Sequence, residues 1–349
     1  MPYSVAVEFR KATLYGKGDL RIESEHFDRS LDADEILIET EVTALSTGTD
    51  LGNYLGDSTY VPGAPDYPRP VGYSNVGIVR AIGPAVIDFH VHDRLFSTRP
   101  HRSGFVARQS DLLVRVPQNI SAEQASLAYL VGLGESALRQ ARYEAGEIVV
   151  VVGLGVIGLC TVALAHAMGA TVLGVANSDI RAQLAMQMGA AACLDSNDSD
   201  LVGHVKKNLR GSLADIVILT SNSWESYFLS LQLVRFGGRV AILGFPGRAQ
   251  APPERNPLSP DPFYARQLTL IGAGHAPRLD CEPQDLRFNL RRNLEYIYEL
   301  MASGRMNVEA LITHRLPFSR MQEAYELARG HSKNLIAAVF DWRGATATE

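Results

Sequence analysis

The chain has 349 residues, 46% hydrophobic and 20% charged, enough for about two ordinary domains with real cores and too apolar for a disordered chain. Its 33 Lys+Arg stand against 38 Asp+Glu, a formal net charge of -5, and no basic run offsets that balance, which argues against nucleic acid as a partner. Three cysteines, Cys160, Cys193 and Cys281, are too few and too scattered for a disulfide framework or a cysteine-rich zinc lobe, so a reducing cytoplasm is the expected setting.

The N-terminal segment alternates polar with apolar residues and has no uninterrupted apolar stretch, so no secretory signal is expected. The stretch Ile148–Ser178 lacks Asp, Glu, Lys and Arg and is long enough for a membrane span. Gly153, Gly155, Gly158, Gly169 and Gly174 punctuate it, with β-branched runs at either end. That pattern predicts strand, helix, strand inside a sheet, and no membrane partner.

Up to about residue 118 the chain runs in short alternating segments broken by turn residues: SVAVEFR, YGKGD, LRIES, EILIETEVTAL, NVGIVRAIG, RLFSTRP and DLLVRVP. Such spacing predicts a small antiparallel β-domain of barrel type. The Pro/Gly-rich run from Gly56 to Pro70 reads as a surface loop or lid. At Ser121 a capping box, with Gln124 three residues on, opens a helix. Strands are then predicted at Ile148–Val152, Thr171–Ala176, Ala191–Leu194, Asp215–Thr220, Arg239–Leu243 and Gln267–Ile271, with helix-like sequence between most of them. Six such strands imply a doubly wound parallel sheet. An amphipathic helix over Leu286–Met301, a strand and helix in RLPFSRMQEAYELARG, and a last strand in LIAAVFDW return to the first domain. The expected division is 1–122 with 275–349, and 123–274 between them.

Gly153-Leu-Gly155-Val156-Ile157-Gly158 directly follows the strand IVVVV and opens a helix, the setting a dinucleotide fingerprint requires. Gly153 permits the turn, Gly155 lets backbone approach a pyrophosphate, and Gly158 lets helix and strand pack closely. The free N–H groups of the helix start then face the phosphates. Close packing of a βαβ unit without a ligand is the bland alternative. An NAD site wants a carboxylate at the end of the second strand, and here Ala176 stands there, followed by the neutral donors Asn177 and Ser178 and, one turn on, Arg181. Neutral donors and a guanidinium suit a 2′-phosphate, so NADPH is expected over NADH. Asp179 is the competing feature, because a shifted turn would aim it at the ribose. By the topology rule Thr220, Ser221, Leu243, Gly244 and Phe245, at the carboxyl ends of the fourth and fifth strands, also face the ligand.

With the fingerprint and domain order in view, the chain resembles the medium-chain dehydrogenase/reductase superfamily over nearly its whole length. The resemblance implies a GroES-like β-domain, an inserted Rossmann domain and a C-terminal return. Thr47-Gly-Thr49-Asp50 resembles the family's Cys-Gly-Thr-Asp segment and Gly72-Tyr73-Ser74 its Gly-His-Glu segment. His92-Asp93-Arg94-Leu95 resembles Gly-Asp-Arg-Val, and Ile312-Thr-His-Arg-Leu-Pro-Phe318 is also typical. In the zinc alcohol and polyol dehydrogenases, a cysteine, a histidine and a third ligand hold the catalytic metal. The matching positions here are Thr47, Tyr73 and, within a residue or so, Tyr129. Neutral hydroxyls are poor zinc ligands, and the structural-zinc cysteine lobe is missing too, so a zinc-free branch is expected. The resemblance also places His275 near nicotinamide and Lys333 near the pyrophosphate, with a solvated lysine the plain alternative for the latter.

Without a Lewis acid, a substrate carbonyl must be polarised by hydrogen-bond donors. Thr47, Thr49, Tyr73 and Tyr129 offer hydroxyls at the altered metal position. Tyr73 and Thr49 are the first candidates for donor or proton relay, while both tyrosines can equally be fillers of space. Asp50 reads as a structural acceptor of its loop, His90, His92 and Asp93 as a turn, and His166 as a packed or surface histidine. The expected activity is NADPH-dependent hydride transfer to a small organic substrate. Reduction of a C=C bond conjugated to a carbonyl comes first; ketone/alcohol interconversion and a nucleotide-binding protein without turnover are the alternatives. The apolar sixth strand needs cover, so a homodimer through it is expected.

Overall fold

The computed structural model describes residues 4–56, 66–248, 250–274 and 289–348. The chain divides into two compact units, which among described residues are 4–129, 289–302 and 312–348 in one, and 130–248, 250–274 and 303–311 in the other. The first break, at 129/130, lies a few residues beyond the expected 122/123.

The first unit opens with β1 (Ser4–Gly16) and β2 (Asp19–Ser30), a long antiparallel hairpin closed through Gly18 at φ +72°. These two strands fuse what reads in sequence as several short segments, because pairing runs nearly unbroken from Ser4/Ser30 to Leu14/Leu20. Next come β3 (Glu35–Ala44), α1 (Thr49–Leu55), β4 (Arg69–Pro70), β5 (Asn75–Ile82), β6 (Arg94–Ser97), β7 (Gly104–Arg108), β8 (Leu113–Arg115) and α2 (Ala122–Ser126). β3 is the spine. Leu37 packs with Val7 and Phe9 on one face, while Ile36 and Ile38 pack with Val79, Leu95, Phe105 and Leu113 on the other. A strand covered on both faces loses its alternation, and β3 is buried or half-buried throughout. Fully burying each such side chain contributes about 1.5–3 kcal/mol. Ser121 caps α2 by accepting from the Gln124 N–H at 3.1 Å.

The second unit holds most of α3 (Ala128–Gln140), then β9 (Ile148–Val152), α4 (Val156–Ala167), β10 (Thr171–Ala176), α5 (Asp179–Gln187), β11 (Ala192–Asp195), α6 (Leu201–Asn208), β12 (Ala214–Leu219), α7 (Trp224–Leu233), β13 (Val234–Ile242) and β14 (Thr269–Gly272). The six strands form one all-parallel sheet in the order β11-β10-β9-β12-β13-β14, a Rossmann sheet. The charge-free stretch resolves into β9, α4 and β10, and among described residues no helix is long and apolar enough to cross a membrane. Several strand limits differ from the sequence expectation by a residue or more. β13 starts at Val234 rather than Arg239, running through Gly237 at φ +65°. β14 starts at Thr269 because Gln267 takes a left-handed φ of +51° and belongs to the preceding turn. Thr220 and Leu243 fall just beyond the strands they were expected to end.

The chain returns to the first unit with α8 (Leu290–Ala302), β15 (Ile312–Pro317), α9 (Met321–Arg329), β16 (Ala337–Asp341) and β17 (Ala347–Thr348). The expected apolar face of α8 is present, with Leu290, Leu294, Ile297, Tyr298 and Met301 all buried; residues 286–288 of the expected helix lie outside the described residues. β16 pairs antiparallel with β3, setting Phe340 opposite Thr43, and Trp342 follows it into a core shared with Leu14, Leu45, Tyr54 and Tyr325. The late strand and α9 thus supply the floor beneath the loop that precedes α1.

Candidate active site and nucleotide site

In the second unit the fingerprint has the form its glycines require. Gly153 leaves β9 at φ +93°, and a side chain there would meet the Ser221 backbone nitrogen at 2.8 Å. A Cβ on Gly158 would lie 2.0 Å from the Gly153 carbonyl oxygen, so only glycine lets α4 sit this close to β9. A Cβ on Gly155 would meet nothing within 4 Å, leaving open space at the N-cap of α4, where Val156 and Ile157 form the first turn. The Thr220 hydroxyl donates to the Gly153 carbonyl at 2.5 Å, tying the end of β12 to the turn. Gly244 stacks against the Ser221 carbonyl, 2.3 Å from where its Cβ would be. Phe245 is 59% exposed, donates its N–H to the Asn222 side-chain oxygen at 2.9 Å, and carries the Arg248 guanidinium over its ring. Residues 153–158, 220–221 and 243–245 thus share one end of the sheet.

At the end of β10, Ala176 is buried, Asn177 is exposed, and Ser178 holds the N-cap position of α5 without a side-chain capping bond. Arg181 is half-buried, and its Nε is shut from solvent with no hydrogen-bond partner. Burial depresses its affinity for a proton, the reverse of what a carboxylate partner would do. Asp179 is exposed in the first turn of α5. His275 lies outside the described residues, and Lys333 is exposed in the first unit.

In the first unit the four candidate hydroxyls lie on the loop before α1 (Thr47), at the first residue of α1 (Thr49), after β4 (Tyr73) and at the start of α3 (Tyr129). Tyr73 and Tyr129 meet edge to face with ring centroids 4.9 Å apart. Burial first, and then the negative charge of Asp50, push the Tyr73 phenol well above its usual range, while hydrogen bonds to the Ser46 and Thr49 side chains pull the other way. Tyr73, Ser46 and Thr49 are therefore one hydrogen-bonded hydroxyl cluster. Ser46, 2% exposed, carries no motif that would single it out in sequence.

Beneath the cluster lies Asp50, 1% exposed, whose Oδ2 accepts from the Ser46 N–H at 2.9 Å and whose Oδ1 accepts from the Gly72 N–H at 3.0 Å. One carboxyl thus clips together both hydroxyl-bearing segments, in keeping with its reading as a structural acceptor. Desolvation outweighs those two bonds and raises its pKa to about 7. Ser74 donates to the Ser126 carbonyl and so faces away from the cluster's chemistry.

A tetrahedral zinc needs thiolate, imidazole or carboxylate ligands. Thr47, Tyr73 and Tyr129 present neutral hydroxyls, and the raised Tyr73 pKa makes its phenolate less accessible than that of a free tyrosine. Among the described residues no three His, Cys, Asp or Glu side chains lie close enough together to hold a metal. This donor set does not fit zinc. At the His90–Asp93 turn, the Asp93 carboxylate takes the His90 N–H at 2.9 Å and Arg115 at 3.1 Å, and His92 adopts φ +76°: a turn held by its own bonds. His166 is exposed near the end of α4.

A GroES-like domain joined to a Rossmann domain is the architecture of the medium-chain dehydrogenases/reductases, and known proteins bear it out. Residues 156–286 match the family model of zinc-binding dehydrogenases. L-galactonate-5-dehydrogenase of Escherichia coli K12 is 29% identical over 221 residues, 63% of this chain and 59% of that protein, so in that match the chain spans less than two thirds of the relative. Sorbitol dehydrogenase of Bacillus subtilis is 22% identical over 94% of this chain and 96% of its own. A zinc-binding dehydrogenase of Sinorhizobium meliloti 1021, solved with NADP bound, superimposes with a TM-score of 0.77 at 20% identity, covering 96% of this chain and 99% of that one. These matches show the fold of the medium-chain dehydrogenases/reductases and a likeness to zinc-type alcohol and polyol dehydrogenases.

Proposed function

We propose that this protein is an NADPH-dependent oxidoreductase that transfers hydride to a small organic substrate without a metal ion. The observation that carries this reading is the Tyr73–Ser46–Thr49 hydroxyl cluster, whose Tyr73 stands at a position where the resemblance implies a metal ligand. Bound NADPH supplies the hydride. The chain's part is to hold the pyrophosphate against the open face of Gly155 and the start of α4, and the 2′-phosphate against Asn177, Ser178 and Arg181. Tyr73 donates a hydrogen bond to the substrate oxygen as charge develops on it, with Ser46 and Thr49 orienting the phenol. Tyr129 packs edge-on against Tyr73 and restricts its ring.

Donors alone serve best where the oxygen becomes an enolate and hydride goes to a carbon further along, so reduction of a C=C bond conjugated to a carbonyl is the first reading. Ketone/alcohol interconversion is the second, favoured by the names of the sorbitol and L-galactonate dehydrogenases. Following NADPH absorbance across enones, quinones, ketones and alcohols, with metal analysis of the same sample, tests both. Turnover by zinc-free protein supports the proposal. Stoichiometric zinc, or loss of all rate on chelation, ends it. No consumption with any substrate favours a nucleotide-binding protein without turnover.

A further inference from the structure

We propose that Ser136 and Gln140, on α3, are positioning residues that hold the chain at the end of β14 ready for the nicotinamide of the bound dinucleotide. The inference rests on the nucleotide reading above and adds to it two residues that no motif marks. All the groups concerned lie in the second unit.

Three hydrogen bonds close a small ring at the Gly274 carbonyl. The Ser136 hydroxyl donates to that oxygen at 3.0 Å. Gln140 Nε2 donates to the same oxygen at 3.0 Å and, with its other proton, to the Ser136 hydroxyl oxygen at 2.8 Å. The serine thus gives its proton to the carbonyl and takes one from the amide, and no proton of the ring is left over. The two side chains stand one helical turn apart on one face of α3; Ser136 is 4% exposed and Gln140 half-buried. Strand pairing does not need this bracing. Ala273, one residue past β14, already donates its N–H to the Ile242 carbonyl at 2.9 Å.

Gly272-Ala273-Gly274 does need it. Two glycines in three residues leave the backbone wide freedom just where the ladder ends. A Cβ on either glycine would meet nothing within 4 Å, so the space beside both is open. Residues 243–245 leave β13 at the same end of the sheet. Among the described residues, the Leu243 and Ala273 carbonyls and the Gly274 N–H take no hydrogen bond. A primary carboxamide has two N–H protons to give and an oxygen to satisfy, the complement of those three groups.

The sheet order assigns this end to the nicotinamide half. β10 and β11 lie on one side of β9, and β12, β13 and β14 on the other. A dinucleotide crosses a doubly wound sheet at its switch point, with one nucleotide over each half. Residues 176–181, after β10, take the adenosine half in the reading above, which leaves the ends of β12 to β14 for the other. With its carbonyl held by α3, Gly274 is ordered before the ring arrives, and that ordering no longer weakens binding.

Equilibrium binding to the full chain, by calorimetry, tests the pair. The probes are NADP+ and NAD+, and the same two molecules without nicotinamide, 2′-phospho-ADP-ribose and ADP-ribose. Ser136→Ala combined with Gln140→Leu should weaken whichever nicotinamide nucleotide the parent binds by about tenfold or more, and its ring-free counterpart by less than about twofold. If the double variant does not fold, Gln140→Leu alone should show the same split at about fivefold. Equal losses for nucleotides with and without the ring make the pair merely structural and overturn the inference. Parental affinity for all four probes overturns it too. A parent that binds none of the four overturns the nucleotide reading and the inference with it, whereas a parent that binds, beside variants that show no split, overturns the inference alone.

Discussion

Tyr73 concentrates the residue-scale chemistry: a phenol beside Tyr129, bonded to Ser46 and Thr49, over a buried carboxyl. Removing one preorganised donor of this kind costs roughly a hundredfold or more in turnover. Tyr73→Phe should therefore lower kcat by about that factor and leave NADPH affinity intact; unchanged turnover in a spectrophotometric assay would return Tyr73 to the role of space filler. Arg181 belongs to the proposed cofactor site instead. A charge-assisted hydrogen bond contributes about 1.5–3 kcal/mol, so Arg181→Gln should weaken NADPH binding on the order of tenfold or more and barely affect NADH. Fluorescence titration with both nucleotides measures this, and equal losses would argue that Arg181 only shapes the turn. Tyr73, Thr49 and Arg181 were legible in sequence because each sits in or just after a motif. Ser46, Ser136 and Gln140 were not, since their meaning comes from contacts across the fold: Ser46 bonds to Tyr73, and Ser136 and Gln140 meet a carbonyl 138 and 134 residues away.

At the scale of elements, the βαβ unit around the fingerprint is the most sharply specified part of the chain. The four valines of β9 are buried, and the absence of a side chain at Gly158 sets the distance between β9 and α4. Gly158→Ala must push α4 away from the Gly153 carbonyl, moving the first helical turn. Nucleotide binding should drop more than tenfold, read by calorimetry, while circular dichroism stays close to the parent. Binding at parental strength would mean the phosphates do not sit on this helix start. The Ser121 cap makes a milder case: Ser121→Ala should cost about 1 kcal/mol in denaturant unfolding, the usual loss for a helix N-cap. Strand limits were read less well than strand identities. Gln267 looks like strand residue in an apolar run, and only its left-handed backbone removes it.

For the whole molecule, the sheet of the second unit ends on β14, which pairs only with β13 among described residues. Leu270 and Ile271 lie on that strand, half-buried. We propose that a second copy covers this edge; light scattering should then give twice the 38.0 kDa chain mass, and a monomer would refute it.

What the sequence determined unaided is whatever depends on local order. The Rossmann alternation, the glycine fingerprint and the neutral residues after β10 are neighbours along the chain, so spacing alone exposes them, while the hydroxyls at Thr47, Tyr73 and Tyr129 gained meaning only from the family resemblance. The tertiary structure decided which groups are dry and which are paired. Asp50 became a clip between two loops of the first unit, and the Arg181 Nε an orphan within the second, because burial and partnership arise only when each core closes. Those distances belong to the packed core and have no counterpart in the order of residues.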